Sequence, residues 1–252
     1  MNDTTKRFSN RVDNYVKYRP SYPKEIITFL ESSIQFNNKI IVADIGAGTG
    51  ILSQLFLENG NTIFGVEPNE PMRKKAEELL KNYSSFKSIN GTAEETNLEN
   101  ESVDLITAAQ AFHWFDIDKT KPEFKRILRS NGYCCLIWNE RLNTSAFSKA
   151  YDELLLEFST DYAKVDHRNI DDKKIEAFFA PQHVIKKSFN NTQVFDFDGL
   201  KGRLLSSSYT PDEDHPKHNA MIKALKNIFD SFNQNNTVQF DYETKLYLAI
   251  MH

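Results

Sequence analysis

VADIGAGTG, Val42 to Gly50, places three glycines within five residues, directly after the apolar run Ile40-Ile41-Val42-Ala43. Beyond it Ile51, Leu52, Leu55 and Phe56 return at helical spacing, so the stretch reads as strand, glycine turn and helix. A turn of that kind directs backbone N–H groups at a ligand, and glycine lets the main chain approach because no Cβ intrudes. The spacing is G-x-G-x-G. A dinucleotide turn wants G-x-G-x-x-G, with the third glycine one residue later, which argues against NAD. Asp44, at the strand end, would repel a pyrophosphate but could anchor the amine of a cationic ligand, directly or through water. About twenty residues on, where an acid can receive ribose hydroxyls, Glu67 ends the apolar strand TIFGV. The three features together predict a nucleoside ligand without phosphates.

The rest of the chain frames this turn. With 252 residues, 40% of them hydrophobic, it suits one α/β domain with a packed core. A net charge of −4 and the lack of a basic block give no reason to expect nucleic acid or an acidic membrane as partner. No apolar run approaches a bilayer span, and MNDTTKRFSNRV carries no signal-like segment. The two cysteines, Cys134 and Cys135, are adjacent in an apolar strand, so a reduced, cytoplasmic protein is expected. Strands are predicted at 39–45, 62–66, 86–90, 103–109 and 133–138, alternating with helices, one of them carrying Phe124, Ile127 and Leu128 and stopped by Gly132. That alternation indicates βαβ units and a parallel sheet. Later, 183–196 reads as a bent strand, and a helix carries Met221, Leu225, Phe229 and Phe232. Val238, Phe240, Tyr242, Leu246, Leu248 and Ile250 share one parity, hence a strand. The expected fold is α/β: a Rossmann-like, seven-stranded, mostly parallel sheet with an antiparallel edge pair, helices on both faces and a helical cap over the ligand edge.

VADIGAGTG and the following GVEPNEPM resemble the first two motifs of class I S-adenosylmethionine-dependent methyltransferases. YVKYRPSYP (Tyr15 to Pro23), AAQAFHWFD (Ala108 to Asp116) and WNER (Trp138 to Arg141) resemble one branch, the methyltransferase type 11 proteins similar to trans-aconitate methyltransferases. The resemblance implies a single methyltransferase domain: N-terminal lid helices in 1–38, a cofactor-binding core in 39–138, a cap and substrate region in 139–181 and 198–236, and closing strands in 183–196 and 237–251. It implies S-adenosyl-L-methionine as cofactor and a small-molecule methyl acceptor. Gly46, Ala47, Gly48 and Gly50 would approach the methionine part. Glu67 would bind both ribose hydroxyls, with Pro68, Asn69 and Met72 toward the adenine. GTAEET resembles the adenine-edge motif and brings in Thr92, Ala93 and Glu94, although an aspartate often stands where this chain has Thr92. Gln110 and Ala111 would lie beside the methionine part.

The reacting side is less determined. His113 is either a base for a hydroxyl or amine nucleophile or a packed histidine; Trp114 and Phe115 form an apolar wall. Tyr18 and Arg19 either close a lid, the arginine pairing the cofactor carboxylate, or begin a solvated helix. Arg141 either grips an anionic substrate or makes a surface salt bridge. Ser207 and Tyr209, in SSSYT, either offer hydroxyls to the substrate or cap a helix. His215 and His218 with Asp212 and Asp214 read as a polar helix start, and no metal is expected. A carboxylate acceptor would need no base. The competing reading is a catalytically silent protein that binds the cofactor as a sensor or partner; a dinucleotide oxidoreductase is a third.

Overall fold

The computed structural model describes residues 12–159 and 172–251. The expectations for residues 1–11 of the lid and 160–171 of the cap region lie outside the described residues. The elements in chain order are helices α1 (Val12–Tyr18) and α2 (Glu25–Ile34), strand β1 (Ile41–Ile45), α3 (Ile51–Glu58), β2 (Thr62–Val66), α4 (Glu70–Leu79), β3 (Phe86–Ile89), β4 (Val103–Ala109), α5 (Ile117–Ile127), β5 (Leu128–Arg141), α6 (Ala146–Phe158), α7 (Asp172–Phe179), β6 (Ile185–Phe195), α8 (Phe197–Leu205), α9 (His218–Phe232) and β7 (Val238–Ile250).

The seven strands form one sheet in the order β3-β2-β1-β4-β5-β7-β6. The first five are mutually parallel, and β7 runs antiparallel to both β5 and β6. The expected antiparallel pair is therefore present at one edge, formed by inserting the last strand between β5 and β6. Successive residues of each strand face opposite helical layers. Ala43, Ile106, Cys134, Leu136 and Trp138 pack with α5 and α7, while Val42, Leu105, Cys135 and Ile137 pack with α2 and α3. In β7 the alternation foreseen from sequence holds over Val238–Thr244, then gives way to burial on both faces over Leu246–Ala249, because the strand enters the doubly covered sheet there.

Two boundaries differ from expectation. The helix carrying Phe124 ends at Ile127, not at Gly132. Leu128 already pairs with Val103, and Asn131 takes the positive φ of 67°. The cap is smaller than predicted: 139–141 complete β5, and α7 joins the main core through Ile175, Phe178 and Phe179, its Phe178 stacking edge-on with Phe112 and Phe124. What remains as cap is α6, α8 and α9, which share a separate aromatic core with the first half of β7. Since Tyr242 pairs with Arg141 at the end of β5, that core lies beside the carboxyl edge of the parallel strands, the edge where open α/β sheets bind ligands.

Candidate active site

The three turn glycines all adopt positive φ, +70° at Gly46, +58° at Gly48 and +83° at Gly50, but for different purposes. A Cβ on Gly46 would stand 2.6 Å from Cβ of Ala111, and one on Gly50 would stand 2.6 Å from Cδ1 of Leu80. Both positions serve close packing against neighbouring elements. A Cβ on Gly48 would meet only Cε of Met72, at 3.4 Å. Gly48 is the glycine with open space beside it. The N–H groups of Gly46 and Ala47 both donate to the Val66 carbonyl, which pins the turn to the end of β2.

Glu67, the residue after β2, is 8% exposed. Its Oε2 accepts from the Gly48 N–H and its Oε1 from the Asn69 N–H, each at 2.8 Å. A carboxylate offers about four lone pairs, so each oxygen keeps one acceptor site. Burial pushes its pKa up, an effect the nearby Asp44 reinforces and the two N–H bonds oppose. Asp44 is more deeply buried. Its Oδ2 accepts from Ser53 Oγ at 2.7 Å and its Oδ1 from Thr107 Oγ1 at 3.1 Å, tying β1 to α3 and β4. Burial raises the Asp44 carboxyl to about 6 against the pull of those hydroxyls. Asp44 is thus first a structural clasp at the strand ends.

Several residues expected around adenine are partly engaged by the protein. Asn69 Oδ1 caps α4 by accepting from the Met72 N–H at 3.0 Å. Thr92 Oγ1 accepts from the Glu95 N–H at 3.1 Å, and Glu94 Oε1 from the Asp116 N–H at 2.8 Å. Ala93 is buried. The GTAEET loop is fastened from below by Glu123, which accepts from both the backbone and hydroxyl of Thr96; despite partial burial, Arg126 and Thr96 hold this carboxyl down at about 2. Sequence reasoning overlooked Arg73. Its guanidinium donates to the Glu67 carbonyl at 2.9 Å and to Asn90 Oδ1 at 3.2 Å, so it joins the ends of β2 and β3 behind Pro68.

After β4, Gln110 sits at φ +55°, donates its N–H to the Ile137 carbonyl, and donates Nε2–H to the Asn139 carbonyl at 2.9 Å. Its buried Oε1 has no hydrogen-bond partner. Phe115 stacks edge-on with Phe112 and Phe124, and its ring lies 4.0 Å from where a Gly46 Cβ would be. His113 and Trp114 are exposed on the 3-10 turn Phe112–Trp114, with ring centroids 4.6 Å apart.

The lid and cap residues pack against one another. The Tyr18 ring fills the place of the missing Gly202 side chain, where a Cβ would be 1.9 Å away, and packs edge-on against Phe195. It docks α1 on α8. Arg19 is no solvated helix start: it lies over the Tyr15 ring at 4.9 Å, donates Nη2–H to the Ser206 carbonyl at 3.1 Å, and has a buried Nε without a partner. Arg141 is not a surface salt bridge. It pairs with Asp152 of α6 in a mostly buried contact between the rings of Tyr151 and Phe240. Ser207 and Tyr209 are buried in the turn after α8. Sequence reasoning also missed Arg203, 7% exposed on α8, whose Nε and Nη1 reach Tyr242 Oη at 3.4 Å and Ser207 Oγ at 3.3 Å. His215 and His218 bond locally, to the Lys217 N–H and the Pro211 carbonyl, and among the described residues no group of three potential ligands could hold a metal ion.

A glycine turn after the central strand, an acid at the next strand end and one reversed strand near the sheet edge give the chain a Rossmann-like fold that it shares with methyltransferases. Comparison with known proteins agrees. Residues 43–136 match the family model of a methyltransferase domain. An uncharacterised methyltransferase of Mycobacterium tuberculosis is 37% identical over 139 residues, 55% of this chain and 54% of that protein. The chain thus spans about half the length of these curated relatives. An uncharacterised methyltransferase of Schizosaccharomyces pombe is 26% identical over 95% of both chains. A structure from Anaeromyxobacter dehalogenans, provisionally described as a type II methyltransferase, superposes with a TM-score of 0.69 at 18% identity, covering 93% of this chain and 98% of that one. The geranyl diphosphate C-methyltransferase of Streptomyces coelicolor, solved with S-adenosyl-L-homocysteine, shares the fold more distantly, with a TM-score of 0.51 at 12% identity over 91% of this chain and 75% of that one.

Proposed function

We propose that the protein transfers a methyl group from S-adenosylmethionine to a small-molecule acceptor, a carboxylate in the reading we favour, by direct in-line displacement. The observation that carries the proposal is Glu67. Its two oxygens are each fixed by one backbone N–H beside the open side of Gly48, and each retains an acceptor site, a match for a pair of vicinal hydroxyls. Gln110 fits the rest of the cofactor: its Oε1 is a buried acceptor awaiting a donor such as an ammonium.

The bound cofactor would supply an electrophilic methyl on a positively charged sulfur. The protein's part is orientation and exclusion of water, and orientation alone lowers such barriers by about 7–11 kcal/mol in favourable cases. Phe115 beside Gly46, with Trp114, gives the apolar wall that dries the reacting side. A carboxylate acceptor arrives ionised and needs no proton removed, so His113 would act as a positioning group. The cap formed by α6, α8 and α9 would select the acceptor.

Calorimetric titration of the full chain with S-adenosylmethionine and with S-adenosylhomocysteine tests the first half. Both should bind one per chain, and NAD should not compete. A screen of metabolites with labelled cofactor tests the second half, and label should pass to an acid. Failure of either nucleoside to bind the folded protein would overturn the proposal.

A further inference from the structure

Among its described residues, the cap holds positive charge that no carboxylate neutralises. Arg203 is almost wholly buried, yet its two recorded partners are neutral hydroxyls at 3.3 and 3.4 Å, long for charge-assisted bonds. Arg19 has a carbonyl, an aromatic face and an unpartnered Nε. Among the described residues neither guanidinium makes an ion pair with a carboxylate, whereas Arg141 nearby has Asp152. The two arginines also feel one another: burial first, then the repulsion of Arg203, lowers the Arg19 pKa. Arginine stays protonated at neutral pH, so both charges persist.

Two like charges side by side, one buried and one half-buried, with no carboxylate partner among the described residues, are costly unless a ligand completes them. The surroundings favour an oxyanion. Tyr151, Tyr209 and Tyr242 all lie in the electrostatic range of Arg203. Tyr242 accepts from Arg203 while donating to Gln193 Oε1 at 2.9 Å, which holds the guanidinium in place, and the Ser207 hydroxyl beside it can turn toward a bound oxygen. The placement also links the two halves of the site. The Ser21 carbonyl, two residues after Arg19, accepts from Asn139 Nδ2, and the Asn139 carbonyl accepts from Gln110 Nε2, so the segment of Arg19 runs beside the strand ends, with Arg203 on the cap side.

We infer that Arg203 and Arg19 form a two-guanidinium seat in the cap that binds an oxyanion of the methyl acceptor, with Arg203, rather than Arg141, as the residue that selects for negative charge. The inference rests on the proposed function, because it takes the cap to face the acceptor, and it assigns that acceptor at least one anionic group. Arg141, ion-paired with Asp152, then ties α6 to β5. Tyr18, seated on Gly202 one residue before Arg203, couples docking of α1 to the position of the seat.

The test is calorimetry on the full chain saturated with S-adenosylhomocysteine, titrated with succinate, with inorganic phosphate and with neutral succinamide. Succinate or phosphate should bind and succinamide should not; the preference between the two anions shows whether the seat takes a carboxylate or a phosphate. In Arg203→Gln the anion should bind at least tenfold more weakly while S-adenosylhomocysteine affinity stays within twofold. Arg203→Lys, which keeps the charge and loses the fork, should fall between. If Arg203→Gln fails to fold, the lysine variant and the wild-type contrast with succinamide carry the test. Equal anion binding in wild type and variants overturns the inference, as does no anion binding to a chain that binds S-adenosylhomocysteine. Anion binding abolished by saturation with S-adenosylhomocysteine also overturns it, since the seat would then belong to the cofactor's own carboxylate. Absence of S-adenosylhomocysteine binding sinks the proposed function instead, and is read in the same titration.

Discussion

The glycine turn and the cap lie against the same edge of the sheet and treat buried charge in opposite ways. At the turn, each carboxylate is claimed by the fold: Asp44 by two hydroxyls, Glu67 by two backbone N–H groups. In the cap, Arg203 has only loosely held hydroxyls, and Arg19 a carbonyl and a ring face. The turn is preorganised before anything binds. The cap holds charge in reserve for something that brings the opposite sign. This difference fits a site in which one ligand is always the same molecule and the other is chosen by charge and shape.

The sharpest way to test the preorganised half is to separate its glycines. Gly50→Ala combines a left-handed φ, costing about 1–2 kcal/mol, with a Cβ 2.6 Å from Leu80, an overpacking cost of about 1–3 kcal/mol. It should destabilise the protein by about 2–5 kcal/mol in urea denaturation. Gly48→Ala pays the backbone cost alone, about 1–2 kcal/mol, but places a methyl group on the open side. Its S-adenosylhomocysteine affinity should fall at least tenfold with the fold intact. Equal stability losses in the two variants would mean that Gly48 is a packing glycine as well.

The next effect is electrostatic. Asp44 has its carboxyl raised to about 6 by burial, from an ordinary value near 4. Between these values the folded state holds more proton than the unfolded chain, so stability should fall as pH rises from about 4.5 through 6 and then level off. Two units correspond to about 3 kcal/mol at most. Glu67, also raised, adds in the same direction. Glu123, held at about 2, has the opposite sign: its contribution is present above its unfolded value and is lost on acidification through lower pH, which leaves the 4.5–6 window largely to the other two. Asp44→Asn should remove most of that slope in urea titrations at several pH values. A wild-type stability that instead climbs across the window would show that Asp44 is ionised throughout. Third in size, Glu67→Gln replaces one acceptor oxygen by a donor, losing charge-assisted bonds worth about 1.5–3 kcal/mol each. Cofactor affinity should drop about tenfold to a hundredfold, while Gln110→Glu should not mimic that loss.

The contrast also explains what the sequence revealed. The strand ends announce themselves because each depends on local order: VADIGAGTG and TIFGVE carry strand, turn and acid within a few residues, and the core strands repeat with period two. The cap brings residues from distant parts of the chain together. Arg19 meets the Ser206 carbonyl and Arg203 meets Tyr242 only after α1, α8 and β7 have packed. No spacing encodes that meeting, so Arg203 went unseen and Arg141 received the role that its position in WNER suggested. Tyr18 shows the same limit: its ring belongs to Gly202, a partner far along the chain. The parity of β7 was legible only where one face is open; where the strand enters the covered sheet, burial on both sides erases it.

The smallest expected effect concerns His113, exposed on a short turn with its ring beside Trp114. His113→Ala should leave stability within about 0.5 kcal/mol, as for surface changes generally. If the acceptor is an ionised carboxylate, nothing has to be deprotonated, and turnover should fall less than tenfold with an unchanged pH profile and the loss carried in KM. A general base contributes about 10²–10⁴ to rate. A loss of that size, concentrated in kcat and removing the acid limb of the pH profile, would assign the imidazole a proton to carry and replace the carboxylate acceptor with a hydroxyl or an amine.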